Sequence, residues 1–267
     1  MSGHDASLRI FSYLPNPRLA KATIAARLCG VKLEVRGAAP RELAQWLWDF
    51  DARPLAAGDA SAATSRTAHT GFGGTLHKTD AFLAAHPFGT VPAAWSGDGE
   101  VGIFESNSIA RAVARLGAAK RPLYGGDLFE ASRIDSFLDA SLVFARDAQL
   151  HLLALASGKP DPATHARARA ALDAWLGGID RALAPAREHL VGDSLSLADI
   201  AFAAELALFS GECVNQRLLD DAGLARLWDP SPLGARFPRA IAHFARLCEH
   251  DAFAPDLGPY LAKLEAR

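Results

Sequence analysis

The stretch from His86 to Ala110 reads HPFGTVPAAWSGDGEVGIFESNSIA. It holds two short apolar runs, Val91–Trp95 and Val101–Phe104, with Gly97-Asp98-Gly99 between them. Two such runs joined by a glycine-rich turn predict a β-hairpin. Ser106 suits a helix start, and Gly117 ends the helix that follows. A hairpin this small needs further strands and a helix before it can bury a face.

The N-terminal end supplies them. Leu8–Phe11 is a short apolar strand, broken by Tyr13-Leu14-Pro15-Asn16-Pro17. Pro17 fits the first turn of a helix, where its missing N–H costs nothing. That helix runs to Cys29, with Leu19, Ile24 and Leu28 on one side, and Gly30 stops it. Val31, Leu33 and Val35 alternate as a second strand. Strand, helix, strand is the opening of a parallel βαβ unit.

Between this unit and the hairpin lie residues 37–76. Pro40–Phe50 reads as a helix with an aromatic side (Trp46, Trp48, Phe50), followed by a loose Ala/Gly/Ser/Thr stretch ending in a hinge, Gly71-Phe72-Gly73-Gly74. Thr79–Ala85 is a short helix. Residues 118–126, with Pro122 and two glycines, form a linker. Beyond it the chain reads as helix at about 127–157, 161–187, 196–211, 213–227 and 237–250. Ser196-Leu197-Ala198-Asp199 has the spacing of a capping box, with Asp199 a structural partner and Leu195 placed as a staple.

Composition narrows the function. The chain has 267 residues, half of them apolar, and a net charge of −2. Near-neutrality without a basic run gives no reason to expect nucleic acid or an anionic membrane. The longest apolar stretch, Ala198–Phe209, is too short and too charged to span a bilayer. The N-terminus lacks a signal peptide's basic head and apolar segment, and the cysteine usage makes a reducing cytoplasm the simplest expectation. Three scattered cysteines, Cys29, Cys213 and Cys248, suggest neither a disulfide framework nor a metal site.

Three segments carry a family resemblance. His86–Pro92 resembles the NPxGxVP segment of the glutathione S-transferase superfamily. Glu105–Ala110 resembles its ES-x-AI helix start, and Leu190–Asp199 its LVGD-x-x-(T/S)-L-A-D box. Within the superfamily, HPFGTVPAAWSGDGEVGIFESNSIARAVA and ASRIDSFLDAS are most similar to the transferase-like domain of elongation factor one gamma. His77–Leu83 is similar to a theta-class segment. The resemblance implies an α+β thioredoxin-like domain over 1–117, with an insertion at about 37–74, then an all-helical domain over 127–267.

It also implies a chemistry. Glutathione's thiol, with a pKa near ~8.5, is only slightly ionised at neutrality. A helix N-terminus and one hydrogen-bond donor favour the thiolate. The helix at Pro17 begins straight after a strand. Leu14 stands where thiol-redox relatives carry cysteine and several transferase classes serine. Asn16 is then the first candidate to stabilise the thiolate, with Tyr13 and Ser12 as alternatives; Asn16 equally suits a helix N-cap. By resemblance Pro92 is cis, leaving the Val91 backbone to pair with the cysteinyl unit as an added strand would. Ser106, at a helix N-terminus, would hold the γ-glutamyl carboxylate. Glu105 would occupy a strained turn or meet the amine, and His77, with Lys78 weaker, would reach the glycyl carboxylate. Arg18 suits either a ligand carboxylate or solvent. Asp135 is a candidate to reach glutathione across a dimer. Trp46, Trp48, Phe144 and His151 either line a pocket for an electrophile or form core.

Two further readings stand beside the enzyme: a non-catalytic scaffold like the elongation-factor domain, and a binding module without turnover. The enzyme would take glutathione as co-substrate, no metal, and an apolar or aromatic electrophile. One subtype cleaves β-aryl ethers, suggested by the absent serine, the aromatic insertion and a composition suited to a GC-rich bacterial genome. The family also implies a homodimer, or a heterodimer with a paralogous subunit.

Overall fold

The computed structural model describes residues 7–68 and 71–266. The chain divides into two compact units, one ending at Arg121 and the other beginning at Pro122.

In the first unit, β1 (Leu8–Tyr13), α1 (Pro17–Cys29) and β2 (Leu33–Ala38) form the expected βαβ unit. The strands are parallel, with Leu8 opposite Leu33 and Tyr13 opposite Ala38. Helix α1 starts because Asn16 caps it and Pro17 fits its first turn. It stops at Gly30, whose φ of +69° is left-handed.

Residues 39–79 depart from the sequence reading. The helix expected over Pro40–Phe50 is a 3-10 turn at Leu43–Gln45 followed by strand β3 (Trp46–Trp48). Trp46, Trp48 and Phe50 recur every second residue, which is the period of a strand rather than a helix. Then come β4 (Arg53–Pro54), β5 (Ser65–Thr67) and β6 (Thr75–Lys78). These four make a small sheet of their own, in the order β4-β3-β6-β5. The glycine-rich stretch read as a hinge delivers Phe72 into an aromatic cluster. Its ring lies edge-on to Trp48 at 5.6 Å and to Tyr13 at 6.5 Å. His69 and Thr70 lie outside the described residues.

Helix α2 (Asp80–Ala85) is capped by Thr79. Strands β7 (Ala93–Ser96) and β8 (Gly102–Phe104) form the hairpin, each starting later than the sequence suggests. Helix α3 (Ser106–Leu116) closes the unit. The main sheet has the order β2-β1-β7-β8, and β7 runs antiparallel to both neighbours. Strand alternation sends Phe11 of β1 into a core with Trp48, Leu76, Phe82, Ala93 and Trp95. Helices α1 and α3 pack together. At Gly117 an added Cβ would stand 2.1 Å from that of Cys29, so only glycine permits this approach. Arg9, nearly fully buried, joins the two sheets. It donates to Glu34 at 2.9 Å, to Asp51 and to the Phe50 carbonyl, and it stacks 4.0 Å over the Phe50 ring.

The second unit is helical: α4 (Leu128–Ala156), α5 (Pro162–Ala182), α6 (Leu197–Ser210), α7 (Gln216–Asp221), α8 (Pro230–Arg236), α9 (Pro238–Glu249) and α10 (Ala254–Glu265). The helix expected over 213–227 is a 3-10 turn at Gly211–Asn215 plus the short α7. The reason is Glu212. Its buried carboxylate accepts from the Leu227 and Trp228 N–H groups and bonds His151 Nε2 at 2.8 Å, so the chain before α8 is held without a helix. Helices α8 and α10 lie outside the ranges expected from the sequence; α10 carries Pro255 in its first turn, where proline is tolerated, and Pro259 inside it.

Candidate functional site

The strand registers bring three chain segments to one end of the main sheet. Phe11, near the C-terminal end of β1, lies opposite Ala93, and Ala93 lies opposite Phe104. The start of α1, the Val91-Pro92 turn before β7 and the start of α3 therefore converge.

At the first segment Leu14-Pro15 is cis, and the Leu14 N–H bonds the Ala38 carbonyl at 2.8 Å. Asn16 is nearly buried. Its Oδ1 accepts from the Arg18 N–H at 2.9 Å and its Nδ2 donates to Ser12 Oγ at 3.0 Å. The capping role is thus present, and an amide carries two N–H donors, so one remains. Ser12 is fully buried, and its Oγ accepts from Asn16. Tyr13 is half-buried at the end of β1.

At the second, Val91-Pro92 is cis. The Val91 backbone makes no hydrogen bond with any of the described residues, leaving an N–H and a C=O at the head of β7.

At the third, Glu105 holds φ +65°, ψ +125°, the one described non-glycine residue with positive φ. Ser106 is the first residue of α3 and is buried. No side chain caps this helix, in contrast to α1. The first N–H groups of a helix lack intrahelical partners and carry partial positive charge, so an uncapped start favours an anion.

His77 lies on β6 in the smaller sheet, half-buried, and its buried Nδ1 has no partner among the described residues. Its neighbour Lys78 is nearly buried, donates to the Gly89 carbonyl at 2.7 Å and sits 4.7 Å over the Trp48 ring. This bond ties the end of β6 to the loop that leads into Val91. Burial, and then nearby Arg66, push the Lys78 ammonium down from its ordinary pKa. The sequence reading passed over Lys21 entirely. It is fully buried on α1 and bonds the start of α3.

Of the aromatic candidates, Trp48 is core, its Nε1 donating to the Leu43 carbonyl at 3.0 Å. Phe144 stacks on Trp175 at 5.9 Å, and the fully buried His151 bonds Glu212 through Nε2. These three build core rather than a pocket.

No family model matches the chain. Its fold is shared with the glutathione transferase URE2P8 from Phanerochaete chrysosporium, solved with oxidized glutathione (TM-score 0.65, 16% identity, 100% of both chains). Over 187 residues, 69% of this chain and 40% of the relative, it is 32% identical to elongation factor 1-gamma 2 of Oryza sativa subsp. japonica. It is 26% identical to the glutathione S-transferase-like protein LUC7 of Fusarium sp, across 94% of this chain and 93% of that one. The chain has the glutathione transferase fold and is similar in sequence to glutathione S-transferase-like and elongation factor 1-gamma proteins. It spans less than half the length of the elongation-factor relatives that it matches.

This transferase-fold chain departs from the superfamily's segment at His86, where the resemblance has asparagine. The imidazole is fully buried, with Nε2 2.9 Å from the Ala94 carbonyl and the ring between Phe82 and Trp95. Burial holds its pKa below the usual histidine value. As pH falls below that value, the unfolded chain takes up a proton that the folded one resists. Stability is then expected to fall from about pH 7 towards pH 5. Melting temperatures of wild type and His86→Gln across this range test it; equal slopes would refute the assignment.

Proposed function

We propose that the chain binds glutathione at this end of the sheet and presents its thiolate to an apolar or aromatic electrophile. The observation that carries the reading is the convergence of an unbonded Val91 backbone beside cis-Pro92 with two helix N-termini. The Val91 N–H and C=O would pair with the cysteinyl backbone, as an added strand would. Ser106 and the uncapped start of α3 would receive the γ-glutamyl carboxylate, with Glu105 bordering the amine. His77 would take the glycyl carboxylate with its unpartnered face. The spare N–H of Asn16 and the N-terminus of α1 would favour the thiolate, and Tyr13 is the alternative donor. The thiolate then attacks the electrophile and displaces its leaving group or adds to it.

Calorimetric titration with glutathione, read together with thiolate absorbance, tests this. Wild type is expected to bind saturably with raised thiolate absorbance. Asn16→Ala should lose the absorbance and, as a lost cap, about 1 kcal/mol of stability. Thiolate retained in Asn16→Ala but lost in Tyr13→Phe would move the role to Tyr13. Aryl electrophiles and β-aryl ethers are the substrates to screen once a thiolate is seen.

A scaffold role is the second reading, favoured by Leu14 at the position of the reactive residue and by the elongation-factor relatives. It predicts no thiolate. Under either reading we propose a dimer. Phe129, Val143 and Leu150 recur on α4 at multiples of seven and are 81, 70 and 44% exposed, an apolar stripe that a second copy would cover. Light scattering should give twice the chain mass, falling to the monomer in Val143→Asp.

A further inference from the structure

Lys21 lies in the middle of α1 with no solvent exposure. Lysine is rarely buried, because removing an ammonium from water is costly unless its donors are satisfied. Its Nζ donates to Asn107 Oδ1 at 2.8 Å and to Ser106 Oγ at 3.2 Å. Both acceptors are buried in the first turn of α3. Ser106 is thus held from behind. Its oxygen accepts from a cation, and its own hydroxyl proton has no acceptor among the described residues. A hydroxyl that accepts from a charged donor is fixed in rotamer and polarised, so its O–H becomes a better donor. The same turn carries the uncapped N–H groups of α3.

We infer that Lys21 is a positioning residue for a ligand carboxylate at α3, holding Ser106 Oγ so that the serine O–H faces the γ-glutamyl carboxylate of glutathione. This rests on the glutathione reading above. It adds a specific role: a residue on α1 sets the preference for a carboxylate at the start of α3 without touching the ligand. Lysine suits the task because its ammonium has three donors, enough to serve Ser106 and Asn107 together.

The test compares glutathione with its analogue in which the γ-glutamyl α-carboxylate is a carboxamide. Calorimetry on the full chain gives the ratio of the two dissociation constants. Wild type is expected to prefer the carboxylate, and Lys21→Met to lose about ten-fold of that preference, the size of a charge-assisted hydrogen bond. Lys21→Arg should restore part of it. In a Ser106→Ala background, Lys21→Met should change the ratio no further. A general packing defect would weaken both ligands alike and leave the ratio intact.

Removing a buried cation also threatens folding, so a second measurement uses wild type. In 15N-lysine-labelled protein the Lys21 ammonium signal, assigned by its absence from Lys21→Arg, is expected to shift on saturation with glutathione and to move far less with the carboxamide. A folded Lys21→Met with the full preference, or an ammonium signal unmoved by saturating glutathione, overturns the inference alone. Absence of saturable binding by wild type overturns the glutathione reading, and this inference with it.

Discussion

Asp199→Ala is expected to cost about 3–5 kcal/mol, the range for removing one partner from a buried charged network. The carboxylate is completely buried on α6. Oδ2 accepts from the Ser196 N–H at 2.9 Å and from its hydroxyl at 3.0 Å. Oδ1 accepts from the Leu190 N–H at 3.0 Å and from His243 Nε2 at 2.9 Å. Arg246 donates to the other nitrogen of His243 at 3.1 Å, so Nε2 carries the proton directed at Asp199. Deleting the carboxylate strands these donors inside the helical unit, where each unmet donor keeps its desolvation cost. Asparagine is no remedy, since its amide would turn two hydrogens towards groups that also donate. The check is a far-UV melt of wild type, Asp199→Ala and Asp199→Asn, with glutathione affinity measured well below the transition. A steep loss of melting temperature with unchanged affinity is expected. A melt within two degrees of wild type, against the roughly 2–4 °C per kcal/mol expected for this size, would show that the network contributes little.

Ser106→Ala is expected to weaken glutathione binding by about ten- to a hundred-fold, since a hydrogen bond to a charged group contributes about 1.5–3 kcal/mol. The hydroxyl stands at the start of α3, where no side chain caps the first N–H groups. The dipeptide cysteinylglycine, which lacks the γ-glutamyl unit, should bind wild type and Ser106→Ala equally. Equal affinities for glutathione itself would mean that the carboxylate is held elsewhere. A drop for both ligands would mean that the start of α3 had shifted.

The thioredoxin-like order of elements was legible because each junction carries its own local chemistry. Asn16-Pro17 starts α1 and Gly30 ends it. Asp98-Gly99 turns the hairpin, and Gly99 adopts the positive φ such a turn needs. Ser196 and Asp199 form both halves of a capping box, which is complete within four residues and so readable without tertiary contacts. Where the pattern depended on remote partners, the reading failed. Trp46–Trp48 pairs with β4 and with β6, whose residues come some thirty positions later. The chain after α7 stays open because Glu212 bonds N–H groups fifteen and sixteen residues away.

The site divides in the same way. The sequence by itself determined which residues begin helices α1 and α3, since capping and proline preferences act over a few bonds. Only the tertiary structure decided what those residues face. It turned the Ser12 hydroxyl inward to Asn16, left the Val91 backbone unbonded, and buried Lys21 against Ser106 across 85 residues of chain. A lysine in an alanine-rich helix reads as solvated. Its burial follows from the close packing of α1 on α3, a consequence of the whole sheet order and not of any local pattern.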